Sequence, residues 1–149
     1  MSSQTSSDPP SWESAQRTFE GFPLYLRRPK GLDFDKLSER FPVHLTVTHE
    51  FSFRRLDGAP EPTYNDGLEK FDLSLTDLFS HTADGQVVLV ETFGGKRHYY
   101  FYVAQNVHAE SVLEELRSTF PGYKLEAAVR PDPSWSFIRR YTKEHLGEA

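Results

Sequence analysis

The 149 residues carry 17 Lys and Arg against 22 Asp and Glu, a formal net charge of −5 at pH 7, and no cysteine. Disulfides, thiolate metal sites and cysteine nucleophiles are therefore excluded, and an acidic balance with both signs interspersed gives no general attraction to phosphate backbones or anionic lipid. Hydrophobic residues reach only 37%, but aromatics make up 14%, and their large buried area lets one domain of this length form a compact core.

No run of about eighteen apolar residues is present, so no membrane span is expected. The polar opening MSSQTSSDPPS has no apolar signal core, and a cytoplasmic location is expected. Residues 1–11, rich in Ser, Gln and Pro, read as a disordered tail, and 12–149 as a single α+β domain. Residues 12–19 and 23–28 read as two strands of a hairpin turning at Glu20-Gly21. Asp33 to Arg40 is either one helical turn or a loop.

Val43 to Phe53 alternates cleanly. Val43, Leu45, Val47, Phe51 and Phe53 share one parity with His49, while His44, Thr46, Thr48, Glu50 and Ser52 share the other, the pattern of a strand with one face on a core. Leu68, Phe71, Leu75, Leu78 and Phe79 recur at helical spacing and predict a helix over 65–80, with Asn65 or Asp66 as N-cap. Val87 to Ala104 holds two β-rich runs about Gly94-Gly95, the strongest hairpin signal in the chain. Residues 109–120 form an amphipathic helix with Val112, Leu113, Leu116 and Phe120 on its buried side, stopped by Pro121-Gly122. A strand follows over 123–129. A last helix, over 133–145, is predicted to start with Asp132 as cap and Pro133 at its first position, and to bury Trp135, Ile138 and Tyr141 or Leu146.

From Val43 onward the order is strand, helix, strand, strand, helix, strand. This is a ferredoxin-like split βαβ sandwich (βαββαβ) with an added N-terminal β-hairpin and a C-terminal helix. Right-handed crossovers order its strands 124–129, 43–53, 97–104, 87–93. The hairpin then adds to an edge or covers the open face. Tyr99, Phe101 and Val103 are expected to face the helices, which puts His98, Tyr100 and Tyr102 on the other face beside His44, Thr46, Thr48 and Glu50; a slip of one residue would exchange the two sets.

The candidate binding face is therefore His44, Thr46, Glu50, His98, Tyr100 and Tyr102. Three readings compete for it. Tyr100 and Tyr102 pack beneath the N-terminal hairpin or the last helix; they form a protein-binding surface; or they stack bases as in RNA-recognition domains, a reading opposed by the acidic balance and by the loose match of Arg97–Val103 to the aromatic signature of those domains. His44, His98 and Glu50 can also meet across strands around a small-molecule pocket. No zinc spacing joins the six histidines, and no Gly-x-Ser-x-Gly elbow or phosphate-cradling glycine loop occurs. Gly94-Gly95-Lys96-Arg97 reads as turn chemistry with solvated bases rather than as an anion cradle. No catalytic residue, metal or cofactor is assigned.

Gly21-Phe22-Pro23-Leu24, the Phe-rich strand, Gly94-Gly95-Lys96-Arg97 with Tyr100-Phe101-Tyr102, and Asp132-Pro133-Ser134-Trp135 follow one another in an order that resembles the bacterial family called domain of unknown function 695. That family has no established activity, so the resemblance carries over no site residue. It is similar in architecture to the regulator B of ribonuclease E, which acts by binding an enzyme. The resemblance implies a cytoplasmic, non-catalytic, regulatory protein with a protein partner, although this chain lacks strongly acidic segments. An uncovered sheet edge or face would also allow a homodimer. Nucleic acid and membrane are not expected partners.

Overall fold

The computed structural model describes residues 11–80 and 82–147, and the tail expected over residues 1–11 lies outside them except for Ser11. The chain is a mixed α+β fold built on one six-stranded antiparallel sheet. In chain order the strands are β1 (Trp12–Phe19), β2 (Phe22–Pro29), β3 (Val43–Glu50), β4 (Gly85–Phe93), β5 (Lys96–Val103) and β6 (Lys124–Pro131). The helices are α1 (Phe34–Ser38), α2 (Pro62–Asp66), α3 (Glu69–Thr76), α4 (Ala109–Thr119) and α5 (Ser136–Leu146). Across the sheet the strands run β1-β2-β4-β5-β3-β6. The order expected for the last four strands is the order found, and the N-terminal hairpin extends the sheet at the β4 edge instead of covering a face.

Alternation along the strands sorts the side chains onto two faces, and both are covered. Leu45 and Val47 on β3, Val87 and Val90 on β4, Tyr99, Phe101 and Val103 on β5 and Leu125 on β6 pack with Phe71 and Leu75 of α3 and with Val112 and Leu116 of α4. On the opposite face Leu24, Leu26, Val88, Leu89, Tyr100 and Tyr102 pack with Phe41 and with Trp135, Ile138 and Tyr141. The inward parity expected for Tyr99, Phe101 and Val103 is the one observed. A register shift between Val87 and Leu89 places the consecutive Val88 and Leu89 in the second cluster, where strict alternation would separate them.

Several boundaries move for identifiable reasons. The helix expected over 65–80 is two helices: α2 stops where the Gly67 N–H returns to the Thr63 and Tyr64 carbonyls, and α3 starts after Leu68. The cap of α2 is Glu61, whose carboxylate accepts from the Tyr64 N–H at 2.8 Å, with Pro62 opening the helix; Asn65 and Asp66 cap nothing. Strand β3 ends at Glu50, and Phe53, expected inward, is 64% exposed because the chain has left the sheet. Asp132 does cap α5, accepting from the Ser136 and Phe137 N–H groups at 3.0 Å each, but Pro133 precedes the helix and Trp135 turns into it with φ 61°.

The glycine pair of the β4–β5 turn has a tertiary role besides its turn geometry. Gly94 and Gly95 take φ of 63° and 84°, and the 51–61 loop lies directly on them. The Gly95 N–H donates to the Gly58 carbonyl at 2.8 Å, and the Phe51 N–H donates to the Gly95 carbonyl at 2.9 Å. Gly58 has φ 90°, and a Cβ there would sit 2.9 Å from the Gly94 Cα. Both left-handed backbone strain and a backbone clash oppose a side chain at this point. Gly58→Ala is expected to destabilise the chain by about 2–4 kcal/mol in urea melts, combining these two penalties; a loss below about 0.5 kcal/mol would show that the loop is not anchored there.

Candidate functional site

The sheet face selected from the sequence is built by β3 and β5, in which His44 pairs with Tyr102, Thr46 with Tyr100 and Thr48 with His98. The structure brings these side chains together but does not leave them open. Tyr102 is 0% exposed, His44 4% and Tyr100 9%, because α5 lies across them. Of the readings open to Tyr100 and Tyr102, packing beneath the last helix is the one observed. The Tyr102 ring stacks on Trp135 with centroids 4.1 Å apart, His44 stacks between Tyr102 and Phe137 at 5.0 and 4.5 Å, and Tyr100 lies 4.8 Å from Phe137. Tyr100 separates the two histidines, 5.7 Å from His44 and 5.8 Å from His98. His44 and His98 therefore do not converge on one pocket.

The polar atoms of this layer are spent on holding it together. Tyr102 donates to Asp132 at 2.6 Å and accepts from the Ile138 N–H at 3.3 Å. Glu91 accepts from Tyr100 at 3.3 Å and also from Tyr141. Burial raises the pKa of Tyr100, with the Glu91 charge adding to it, and burial followed by the Asp132 hydrogen bond does the same for Tyr102. Both phenols stay protonated donors. Burial works to raise the Asp132 carboxyl, but hydrogen bonds from Tyr102 and from the Phe137 and Ser136 N–H groups outweigh it and hold that carboxyl below its ordinary value. At the open end of the face, His98 pairs with the Thr48 hydroxyl at 2.9 Å and lies 3.8 Å from Glu91. Thr46 is half-buried beside His44, and Glu50 faces Lys96 and Lys124 across its neighbouring strands. Among the described residues, no three of His, Cys, Asp or Glu gather as a metal site.

A different site lies on the opposite face. One row across the sheet there reads Gln16, Tyr25, Thr92, Arg97, His49, Leu125. The helices cover its far end and reach β4, where Val90 and Thr92 are buried, whereas the cover thins over β2 and leaves Ser14, Gln16 and Thr18 of β1 exposed. The result is a cleft of about 590 Å³, with Tyr25, Arg27, Val90 and Thr92 on one side and Arg55, Ala59, Pro60, Pro62, Asn65 and Asp66 opposite. Its volume lies in the range of ligand-binding clefts. Three guanidinium groups line it, those of Arg27, Arg55 and Arg97. Arg97 is only 12% exposed and is held by Thr92 at 2.8 Å and Asn65 at 3.3 Å, with Asp72 at 3.6 Å. Asp72 also accepts from Arg27 and from the Tyr99 hydroxyl, each at 2.7 Å. Arg55, more exposed, lies 3.3 Å from Asp57.

Sequence reasoning missed this cleft, although signals for it were present. Arg97 shares the parity of the core residues Tyr99, Phe101 and Val103, and Asp72 sits four residues after Leu68 on an otherwise apolar stripe. A charge on a core-facing position requires a partner, and here the two anomalies partner each other. The cleft itself depends on how far the helices reach, which no local pattern states.

Every motif that carried the family resemblance now has a place in the fold: the β1–β2 turn, strand β3, the β4–β5 turn and the cap of α5. The family model described as a family of unknown function (DUF695) matches residues 10–141. The chain belongs to that family. No curated protein and no solved structure matches the DUF695 chain.

His44 and His49 are expected to make this DUF695 chain acid-sensitive. Burial lowers both from 6.5 to about 4, with positive charge from Arg130 and Arg97 respectively adding to the effect. His49 keeps one nitrogen on Tyr64 at 3.2 Å, while its Nδ1 has no hydrogen-bond partner. Below pH 6.5 the unfolded chain binds protons that the folded chain refuses, down to about pH 4. Stability is thus fully present above that window and falls as pH drops through it, by up to about 3 kcal/mol per histidine. Urea melts between pH 7 and pH 4.5 should show this fall, and His44→Phe/His49→Phe should flatten it; an unchanged slope would assign the acid sensitivity to other groups. Tyr102→Phe should cost about 1–3 kcal/mol at pH 7 by leaving Asp132 and the Ile138 N–H short of a partner, measurable in the same melts.

Proposed function

We propose that this DUF695 chain is a non-catalytic, regulatory module that binds a protein partner, and that the arginine-lined cleft is its contact site. The observation that carries the reading is the gathering of Arg27, Arg55 and Arg97 in one cleft on a chain of net charge −5. Guanidinium groups suit carboxylate recognition, since their planar donor forks match it bidentately. The polar atoms of the sheet face, by contrast, are engaged in docking α5, which argues against that face as the main contact. Its open end around Thr46, Glu50 and His98 is the secondary candidate. The reading extends to a cytoplasmic location in a bacterial cell and to a distant kinship with the regulator B of ribonuclease E; both rest on sequence resemblance. The strand order β6-β3-β5-β4, with two crossovers packed on one face, supports a ferredoxin-like reading of the unit from β3 to β6.

A second reading treats the molecule as a small-molecule binder or enzyme centred on His98. It is favoured by the Thr48–His98–Glu91 contacts, with His98 only partly exposed and its pKa lowered by burial against the opposing Glu91 charge. Capture of partners from lysate of the source cell distinguishes the two. Under the protein-binding reading, Arg27→Gln/Arg55→Gln loses the partners that the wild type retains, whereas Glu50→Lys and His98→Gln retain them. Identical partner lists from the folded arginine variant would remove the cleft from consideration.

A further inference from the structure

We infer that the cleft receives acidic side chains from an extended segment of the partner, which pairs as an added strand on the outer edge of β1. The inference rests on the arginine-cleft reading above and names what the cleft recognises. Its first support is the edge itself. Among the described residues β1 pairs only with β2, in an unbroken register from Trp12↔Pro29 to Phe19↔Phe22. It contains no proline, and Ser14, Gln16 and Thr18 are exposed. The opposite edge is guarded more heavily: β6 carries Lys124, Glu126 and Arg130 and ends in Pro131, whereas β1 carries only Glu13 and Arg17, both on the face away from the cleft; charges and proline discourage edge pairing. Among the described residues, β1 is the edge open to a strand.

The second support is position. The cleft runs along Ser14, Ala15 and Gln16 of β1 as well as past the three arginines. Strands lie about 4.8 Å apart, so the Arg27 column on β2 is roughly 10 Å from an added strand, a gap that a Glu and an Arg side chain reaching toward each other span. Alternate residues of the added strand project onto the cleft face, and glutamate or aspartate there meets the exposed donors of Arg55 and Arg27 without displacing Asp72. The carboxylates already facing the site are Asp66 on its lining, Asp57 beside Arg55, and Asp72 beside Arg27 and Arg97. A second copy of this chain is a poor occupant. On the cleft face β1 presents Trp12, Ser14, Gln16 and Thr18, so pairing of two β1 edges brings no carboxylate to either cleft. Backbone pairing supplies affinity and alternate side chains supply selectivity, as in other strand-addition complexes.

The test uses fluorescein-labelled eight-residue peptides on the full chain, read by anisotropy at low salt. A peptide of alternating Glu and Thr should bind. Affinity should fall at least tenfold for the same peptide N-methylated at alternate backbone nitrogens, and at least tenfold for Arg27→Gln/Arg55→Gln. Amide shifts on binding should cluster at residues 14–18. Equal affinity of the plain and N-methylated peptides would overturn strand pairing while leaving a charge-reading cleft. A concentration-dependent dimer that loses its β1 contact with the peptide would overturn it in favour of self-association. If the peptide fails to bind while Arg27→Gln/Arg55→Gln still loses partners from lysate, the inference falls and the binding reading stands; if the arginine variant loses no partner, both fall.

Discussion

The fold depends on how the chain closes over the second face of its sheet. Tyr102 is the centre of that closure: its ring stacks on Trp135, and its hydroxyl donates to Asp132 and accepts from the first turn of α5. Trp135 in turn donates from its indole to the Phe41 carbonyl at 2.8 Å, and the Asp132 N–H donates to the Pro42 carbonyl at 2.9 Å. One buried phenol thus couples β5, the end of β6, the start of α5 and the chain entering β3. Each polar atom is satisfied within an aromatic layer, the condition under which a buried polar network stabilises a unique arrangement instead of weakening it.

That closure has a functional consequence. A sheet with both central faces roofed can present only its margins, and the two margins differ. At the β6 side α4 and a charged strand finish the structure. At the β1 side the hairpin is met by α5 on one face, through Arg17 and Phe19 against His145, but projects past α3 and α4 on the other, where the space beneath the 51–66 segment becomes the cleft. Asp72 holds the inner part of it: a single carboxylate receives Arg27 and the Tyr99 hydroxyl and sits near Arg97. A half-buried cation of this kind requires a partner, and removal of Asp72 would leave two guanidinium groups repelling each other. Arg97 is therefore a structural cation with a face on the cleft, whereas Arg27 and Arg55 have donors to spare. Recognition falls to the outer pair.

The aromatic wealth of the chain also acquires a reason. Aromatic rings build both layers, with Phe71 stacked on Tyr123 at 4.4 Å on one face and Tyr102 on Trp135 at 4.1 Å on the other. A modest share of hydrophobic residues suffices because each ring buries a large area and adds geometric preference. The same aromatics that suggest a ligand platform when met in a linear strand are the packing material of a three-layer fold.

Alternation in Val43–Phe53 and in 97–104 pointed to the side chains that face α3 and α4, Phe53 excepted, because strand periodicity is local; a slip of one residue would have exchanged the two sets. The order of the last four strands was legible for a similar reason, since crossover handedness constrains topology. What covers Tyr100 and Tyr102 was not legible. It depends on a helix more than thirty residues away being captured by Asp132 and Trp135, and a local pattern holds no record of its docking partner. The loop seated on Gly94-Gly95 belongs to the same class, since it answers a contact from elsewhere in the chain. The cleft belongs there most of all. Arg97 and Asp72 each stand out as a charge on a core-facing position, but a linear sequence does not state that they meet. Only the tertiary structure, by letting β1 and β2 run beyond the helical roof, turned two anomalies into a site.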